Sequence, residues 1–259
     1  MTTADTSAAA VLAERRDGVL VITLNRPEAR NSVNAAVAAG VAAALDELDS
    51  DDGLQVGIIT GAGGFFCAGM DLKAFVRGES PRTDRGFAGI CQRPPEKPLI
   101  AAVEGFALAG GLEVALSCDL IVAARGAKLG IPETKRGLAA AAGGLLRLPK
   151  RIPYHVAMLM ALTGEPITAE RAYEVGLVVE LSEPGSALDA ALRIGGLIAA
   201  NGPLAVRVSK RILQSAIDWE ESEAWNRQAE LVGPVFTSAD AREGAVAFAE
   251  KRAPIWQGR

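Results

Sequence analysis

Histidine occurs once in the 259 residues, as His155, and cysteine three times, as Cys67, Cys91 and Cys118. With a single imidazole, any Ser-His-Asp or Cys-His nucleophile system would rest on His155. That residue abuts the apolar run Val156 to Leu162 and reads as a helix-surface or core residue. Three widely spaced cysteines fit reduced thiols better than a disulfide framework or a zinc site, so no metal is expected. No long basic block is present, and the net charge is -4, which argues against electrostatic attraction to nucleic acid or an anionic membrane. Residues Met1 to Ala10 lack a cationic start followed by a long apolar stretch, so neither a signal peptide nor a membrane span is expected. The expectation is a cytoplasmic protein. No glycine-rich segment is followed by the Lys-Ser or Lys-Thr of a Walker loop. Gly61-Ala62-Gly63-Gly64 lacks the third glycine of a dinucleotide fingerprint, and Phe65-Phe66 stands where its helix should open.

What is present is enough apolar sequence, 49% hydrophobic against 22% charged, to bury a sizeable core. Val19 to Leu24 is a continuous β-branched run stopped by Asn25-Arg26-Pro27, which reads as a buried strand. Val33, Val37, Val41, Leu45 and Leu48 share a helical face, with Asn31 or Ser32 as the cap. Val56 to Thr60, Leu99 to Val103 and Leu120 to Ala124 read as further buried strands, with a helix over Gly111 to Ser117. Strands alternating with helices predict an α/β fold with a largely parallel sheet. Beyond Pro149 the pattern turns helical at 153–162, 169–175, 186–200, 203–217 and 238–251, with one strand at 177–181. The organisation predicted is a flexible tail over 1–10, a core over 11–200 and a helical C-terminal region over 201–259.

Ala109-Gly110-Gly111 lies between a buried strand and a helical run. Free backbone N–H groups at such a helix start can hold an oxyanion. A second donor can come from the turn Cys67-Ala68-Gly69-Met70-Asp71, which follows a strand and precedes a helix near Asp71. Glu113 stands in the apolar stretch Leu112-Glu113-Val114-Ala115-Leu116, where an unpaired carboxylate is costly. Glu133 follows Gly130-Ile131-Pro132 in a loop. Composition alone leaves two readings open: a functional carboxylate pair, or an ion-paired Glu113 beside a solvent-facing Glu133. Gly143-Gly144 reads as a turn.

The ordered segments Leu24-Asn25-Arg26-Pro27 with Asn31, Phe66 to Lys73, Lys97-Pro98 through Val103, Gly105 to Glu113, Cys118-Asp119, Pro132-Glu133, Gly143-Gly144 and Phe248 to Arg252 resemble the crotonase (enoyl-CoA hydratase/isomerase) superfamily. The resemblance runs from about Val19 to the C-terminus. It implies a crotonase-like spiral of β-β-α units with a helical C-terminal extension, assembled as a homotrimer or as a hexamer of paired trimers. It implies an oxyanion hole from the backbone N–H groups of Met70 and Gly110. Coenzyme A contacts would come from Ala68, Asp71, Leu72, Lys73 and Lys251. Glu113 would act as base and Glu133 as acid in adding water across the 2,3 double bond of an acyl-CoA thioester, with no cofactor beyond the coenzyme A of the substrate. Gly69 to Ala74, Gly86 to Gly89 and the ending Lys251 to Arg259 resemble the carnitinyl-CoA dehydratase branch, which keeps both carboxylates. An isomerase and a non-catalytic acyl-CoA binding protein are the other readings. Phe75, Phe87, Ile90 and Leu138 are candidates for the acyl pocket. Three departures from the hydratase pattern stand out: Ala109 for a glycine, Ile131 for a polar residue, and no proline in Ala139 to Ala142.

Overall fold

The computed structural model describes residues 9–259. The strands are β1 (Val11–Arg16), β2 (Val19–Leu24), β3 (Val56–Gly61), β4 (Arg82–Thr83), β5 (Gly86–Phe87), β6 (Leu99–Val103), β7 (Phe106–Leu108), β8 (Leu120–Ala124), β9 (Lys128–Gly130), β10 (Ile167–Thr168) and β11 (Glu180–Ser182). The helices of the first part are α1 (Ala35–Ser50), α2 (Leu72–Val76), α3 (Gly110–Ser117), α4 (Gly144–Arg151), α5 (Tyr154–Thr163) and α6 (Ala169–Glu174). Four more follow: α7 (Ala187–Ala199), α8 (Pro203–Ser215), α9 (Glu221–Phe236) and α10 (Ala239–Glu250).

Six strands form one sheet in the order β1-β2-β3-β6-β8-β11, parallel except for the β1–β2 hairpin. Both faces are covered, which is why these strands read as continuous apolar runs rather than alternating ones. Along β2, Leu20, Ile22 and Leu24 pack in the cluster with α1, whereas Val19 and Val21 pack in the cluster with α7. A second, small sheet has the order β10-β9-β7, and Cys67 bridges in parallel to Ala107 beside it. Each turn of chain therefore places one strand in the large sheet, a short extended segment beside or in the small one, and then a helix: β3, Cys67, α2; β6, β7, α3; β8, β9, α4. That is a spiral of β-β-α turns.

The expected strands at 19–24, 99–103 and 120–124 form with those bounds, and the strand at Val56 extends to Gly61. The cap of α1 is Asn34, whose side chain accepts from the Val37 N–H at 3.0 Å, not Asn31 or Ser32. Asn31 is instead fully buried, donating from Nδ2 to the Ala62 and Phe65 carbonyls and accepting from the Arg26 N–H. Val33 belongs to a bridge with Met70 rather than to the helix. The strand expected at 177–181 lies at 180–182, because Gly176 (φ +80°) turns the chain and Leu177 and Val178 anchor in the core as loop. Of the N-terminal segment 1–10, residues 1–8 lie outside the described residues. The Ala9 and Ala10 carbonyls accept from Asn25. Among the described residues no helix is long and apolar enough to cross a membrane.

Candidate active site

The turn after β3 and the start of α3 meet at Gly69. A Cβ at Gly69 would lie 3.1 Å from the Gly110 nitrogen and 2.9 Å from the Ala109 Cβ, so only a hydrogen there lets the two segments approach. The Gly69 φ of +98° favours glycine independently. The Gly69 carbonyl accepts from the Val33 N–H at 2.8 Å, and the Asp71 N–H donates to the Val33 carbonyl at 2.9 Å. All described peptide bonds are trans, so the Met70 N–H, in the same peptide plane as the Gly69 carbonyl, points away from Val33. Gly110 opens α3, and its N–H has no intrahelical acceptor. The Ala109 carbonyl faces into the helix, accepting from Leu112 and Glu113, which turns the Gly110 N–H outward. The expected pair of donors is thus brought together around Gly69. Ala109 holds φ +53°, ψ -130°, a costly conformation for a residue with a Cβ, at the point where the helix start must be aimed.

Side chains stiffen this turn. Asp71 caps α2 by accepting from the Lys73 and Ala74 N–H groups, and Arg26 pairs with its other oxygen at 2.9 Å. Partial burial raises the Asp71 carboxyl, but these contacts together outweigh it and leave the group below its usual value. Its side chain is therefore engaged in shaping the loop. Ala68 is half-buried beside it, and Leu72 and Lys73 are exposed. Lys251 sits apart, exposed in the left-handed C-cap of α10.

Glu113 is 3% exposed on α3. It has no ion pair among the described residues; its Oε1 accepts from the Ala142 N–H at 2.7 Å and the Gly144 N–H at 2.9 Å. These are free donors at the start of α4. Gly143 (φ +106°) makes the turn, and Gly144 packs so closely that a Cβ there would be 3.1 Å from the Glu113 Cγ. Arg147 braces the turn from outside, donating to the Ala142 carbonyl at 3.3 Å and the Cys91 carbonyl at 2.6 Å. Gly143-Gly144, read from sequence as a turn, thus holds a buried carboxylate, and Arg147 was not singled out at all. Their signal was the glycine pair opening a helix, legible only once Glu113 is known to face it.

Glu133 is on the short 3₁₀ turn Pro132–Arg136, half-buried, and its Oε2 is buried with no hydrogen-bond partner. Burial pushes its carboxyl above the usual range, and the Glu113 charge adds to the shift, so the two acids are electrostatic neighbours. Ile131 beside it is buried and offers no side-chain donor. Of the acyl-pocket candidates, Phe87 and Ile90 are buried, with the Phe87 ring edge against Gly110, whereas Phe75 and Leu138 are more than half exposed. All three cysteines are free and buried, and burial raises the Cys67 thiol to about 12, which removes it as a nucleophile. His155 is exposed on α5. Among the described residues no cluster of His, Cys, Asp and Glu is arranged to hold a metal ion.

The β-β-α spiral thus brings two free backbone N–H groups together at Gly69 and sets a backbone-held carboxylate, Glu113, near enough to Glu133 for its charge to act there. The enoyl-CoA hydratase/isomerase family model matches residues 14–259, and the chain belongs to that family. It is 43% identical over 256 residues to the enoyl-CoA hydratase EchA19 of Mycobacterium tuberculosis, covering 96% of each chain. It is 41% identical over 253 residues to the carnitinyl-CoA dehydratase of Salmonella arizonae, covering 94% of this chain and 97% of that one. The crystal structure of a probable enoyl-CoA hydratase/isomerase from Mycobacterium abscessus superposes with a TM-score of 0.95 at 62% identity, covering 98% of this chain and 100% of that one.

Proposed function

We propose that the protein is an enoyl-CoA hydratase, a carbon-oxygen lyase that reversibly adds water across the 2,3 double bond of a 2-enoyl-CoA. The observation that carries the reading is the carboxyl pair: Glu113 is fixed by two backbone donors, and Glu133 is held above its usual pKa with one oxygen unpartnered. In hydration, ionised Glu113 takes a proton from water as its oxygen bonds to C3. The electrons displaced onto the thioester oxygen are met by the Met70 and Gly110 N–H groups. Protonated Glu133 gives its proton to C2, and proton exchange between the two acids restores the starting state. The orphaned Glu133 Oε2 suits a group whose partner is water or substrate.

The coenzyme A portion is assigned to the exposed edge of the turn at Ala68, Leu72 and Lys73, with Asp71 shaping that edge and Lys251 supplying a further exposed cation. A homotrimer or hexamer in the cytoplasm belongs to the same reading. It is supported by the apolar side chains exposed on the C-terminal helices, Leu213, Trp225, Phe236 and Phe248.

A second reading is favoured by the 41% identity to a carnitinyl-CoA dehydratase, since the same two acids run in reverse remove water from a 3-hydroxyacyl chain. Incubation with crotonyl-CoA, followed by loss of enoyl-thioester absorbance and by product mass, tests the primary reading. A product heavier by one water is expected. An isomerised product of unchanged mass, or binding without turnover, would refute it, and faster turnover of a carnitine-type enoyl-CoA would select the second reading.

A further inference from the structure

At the end of the sheet opposite the catalytic turn lies a cavity of about 460 Å³. Gln55 and Lys97, which line it, immediately precede β3 and β6 or lie just ahead of them, whereas Met70 and Gly110 follow the far ends of β3 and β7. Parallel strands of five or six residues at about 3.3 Å per residue put roughly 17–20 Å between the two places. The outer wall is α8 and the final segment Trp256–Arg259. That segment is pinned: the Trp256 Nε1 donates to the Ala200 carbonyl at 2.8 Å, and buried Asp240 accepts from the Gln257 and Gly258 N–H groups at 2.6 and 2.9 Å.

Three cationic side chains, Lys97, Arg207 and Arg259, line this cavity against a single carboxylate side chain, Asp52. Lys97 is only 4% exposed, and its ammonium donates to one acceptor, the Asp51 carbonyl at 2.7 Å, leaving two of its three N–H groups unused. Of the three acids whose charge reaches Lys97, Asp52 faces the cavity and the other two are engaged elsewhere. The Asp51 carboxylate pairs with Arg15 at 2.7 Å and takes the Gly53 N–H, and the Asp49 carboxylate pairs with Arg85 and takes the Glu96 and Lys97 backbone N–H groups. The side chain of half-buried Arg207, on the second turn of α8, makes no ion pair or hydrogen bond among the described residues. It lies close enough to repel Lys97, adding to the burial that lowers the lysine's pKa. A buried ammonium and a guanidinium facing one space, with unfilled donors and cationic side chains in excess over the Asp52 carboxylate, are stabilised when an anion enters.

We infer that this cavity binds a small phosphorylated metabolite, its phosphate between Lys97 and Arg207 and the rest of the molecule against Gln55 and Trp256. The cavity's size suits a small ligand rather than a lone ion. The site is separate from the acyl-CoA site and does not depend on the hydratase reading. Inorganic pyrophosphate is the probe, titrated calorimetrically into the full chain at constant ionic strength set with chloride. Saturable one-site binding is expected for the wild type and Arg207→Lys. Binding at least about tenfold weaker is expected for Arg207→Gln and for Lys97→Gln, with far-ultraviolet dichroism confirming that each is folded. Absence of binding to the folded wild type, or equal binding by wild type and folded Arg207→Gln, overturns the inference. If Lys97→Gln fails to fold, the half-exposed Arg207 pair still decides.

Discussion

Replacing Gly144 by alanine separates the placement of Glu113 from the integrity of the fold. Gly144 is the first residue of α4 and has no positive φ, so alanine is compatible with its backbone, and it keeps the N–H that binds the Glu113 Oε1. Alanine is favoured over glycine inside a helix by about 1 kcal/mol, less at the first position. Against this, the new methyl would stand 3.1 Å from the Glu113 Cγ and 3.2 Å from its Oε1, so the carboxylate must give by a few tenths of an ångström. The two effects nearly offset, and stability should change by no more than about 1 kcal/mol, a shift of roughly 2–4 °C in Tm. The chemistry has no such offset. Misplacement of a catalytic group by about 1 Å can cost about 10²-fold, so a shift of a few tenths should lower kcat about tenfold with KM little changed. Thermal unfolding and initial rates with crotonyl-CoA read the two quantities separately. A variant with native Tm and kcat within about twofold of wild type would refute the claim that this contact positions Glu113.

Three further outcomes follow from the same geometry. Glu113→Ala should destabilise the protein by roughly 1–3 kcal/mol for each of the two buried N–H groups it orphans, whereas Glu113→Gln keeps an acceptor and should unfold at nearly the wild-type urea midpoint. Gly69→Ala would push a methyl to 3.1 Å from the Gly110 nitrogen and strain a φ of +98°, so kcat should fall about 10²–10³-fold in protein shown folded by dichroism. Because the Glu133 pKa is raised in the folded state, its contribution to stability is present below the unfolded value and lost as pH rises through the folded one. Urea unfolding at acid and alkaline pH should therefore show Glu133→Gln gaining on wild type as pH rises. The alkaline fall of the hydration rate should begin above the usual glutamate range.

Much of the fold was legible because the sheet is buried on both faces, so 19–24, 99–103 and 120–124 stand out as uninterrupted apolar runs. The segments that escaped had no such signal. β7 and β9 are three residues each, too short for any period, and α9 has no buried residue within this chain, so its sequence lacks the apolar stripe of a packed helix. α4 opens on two glycines and contains Pro149, both poor helix markers, and is held by Glu113 rather than by propensity. The free N–H groups at Gly110 could be read because a glycine-rich strand-to-helix junction presents them whatever surrounds it. The pairing of Glu113 with Glu133 could not, since twenty intervening residues fix no distance; only the resemblance joined them. The cavity beside Lys97 was invisible for the same reason: Lys97, Arg207 and Arg259 are distant in sequence, and nothing local marks a lysine as buried.

The central claim is that two carboxyl groups share the work of one water addition. Hydration of crotonyl-CoA, followed by loss of enoyl-thioester absorbance for wild type, Glu113→Gln and Glu133→Gln, tests it most directly. The account predicts that each variant remains folded and loses about 10²-fold or more in kcat. Either variant retaining a rate close to wild type would show that one acid suffices and contradict it.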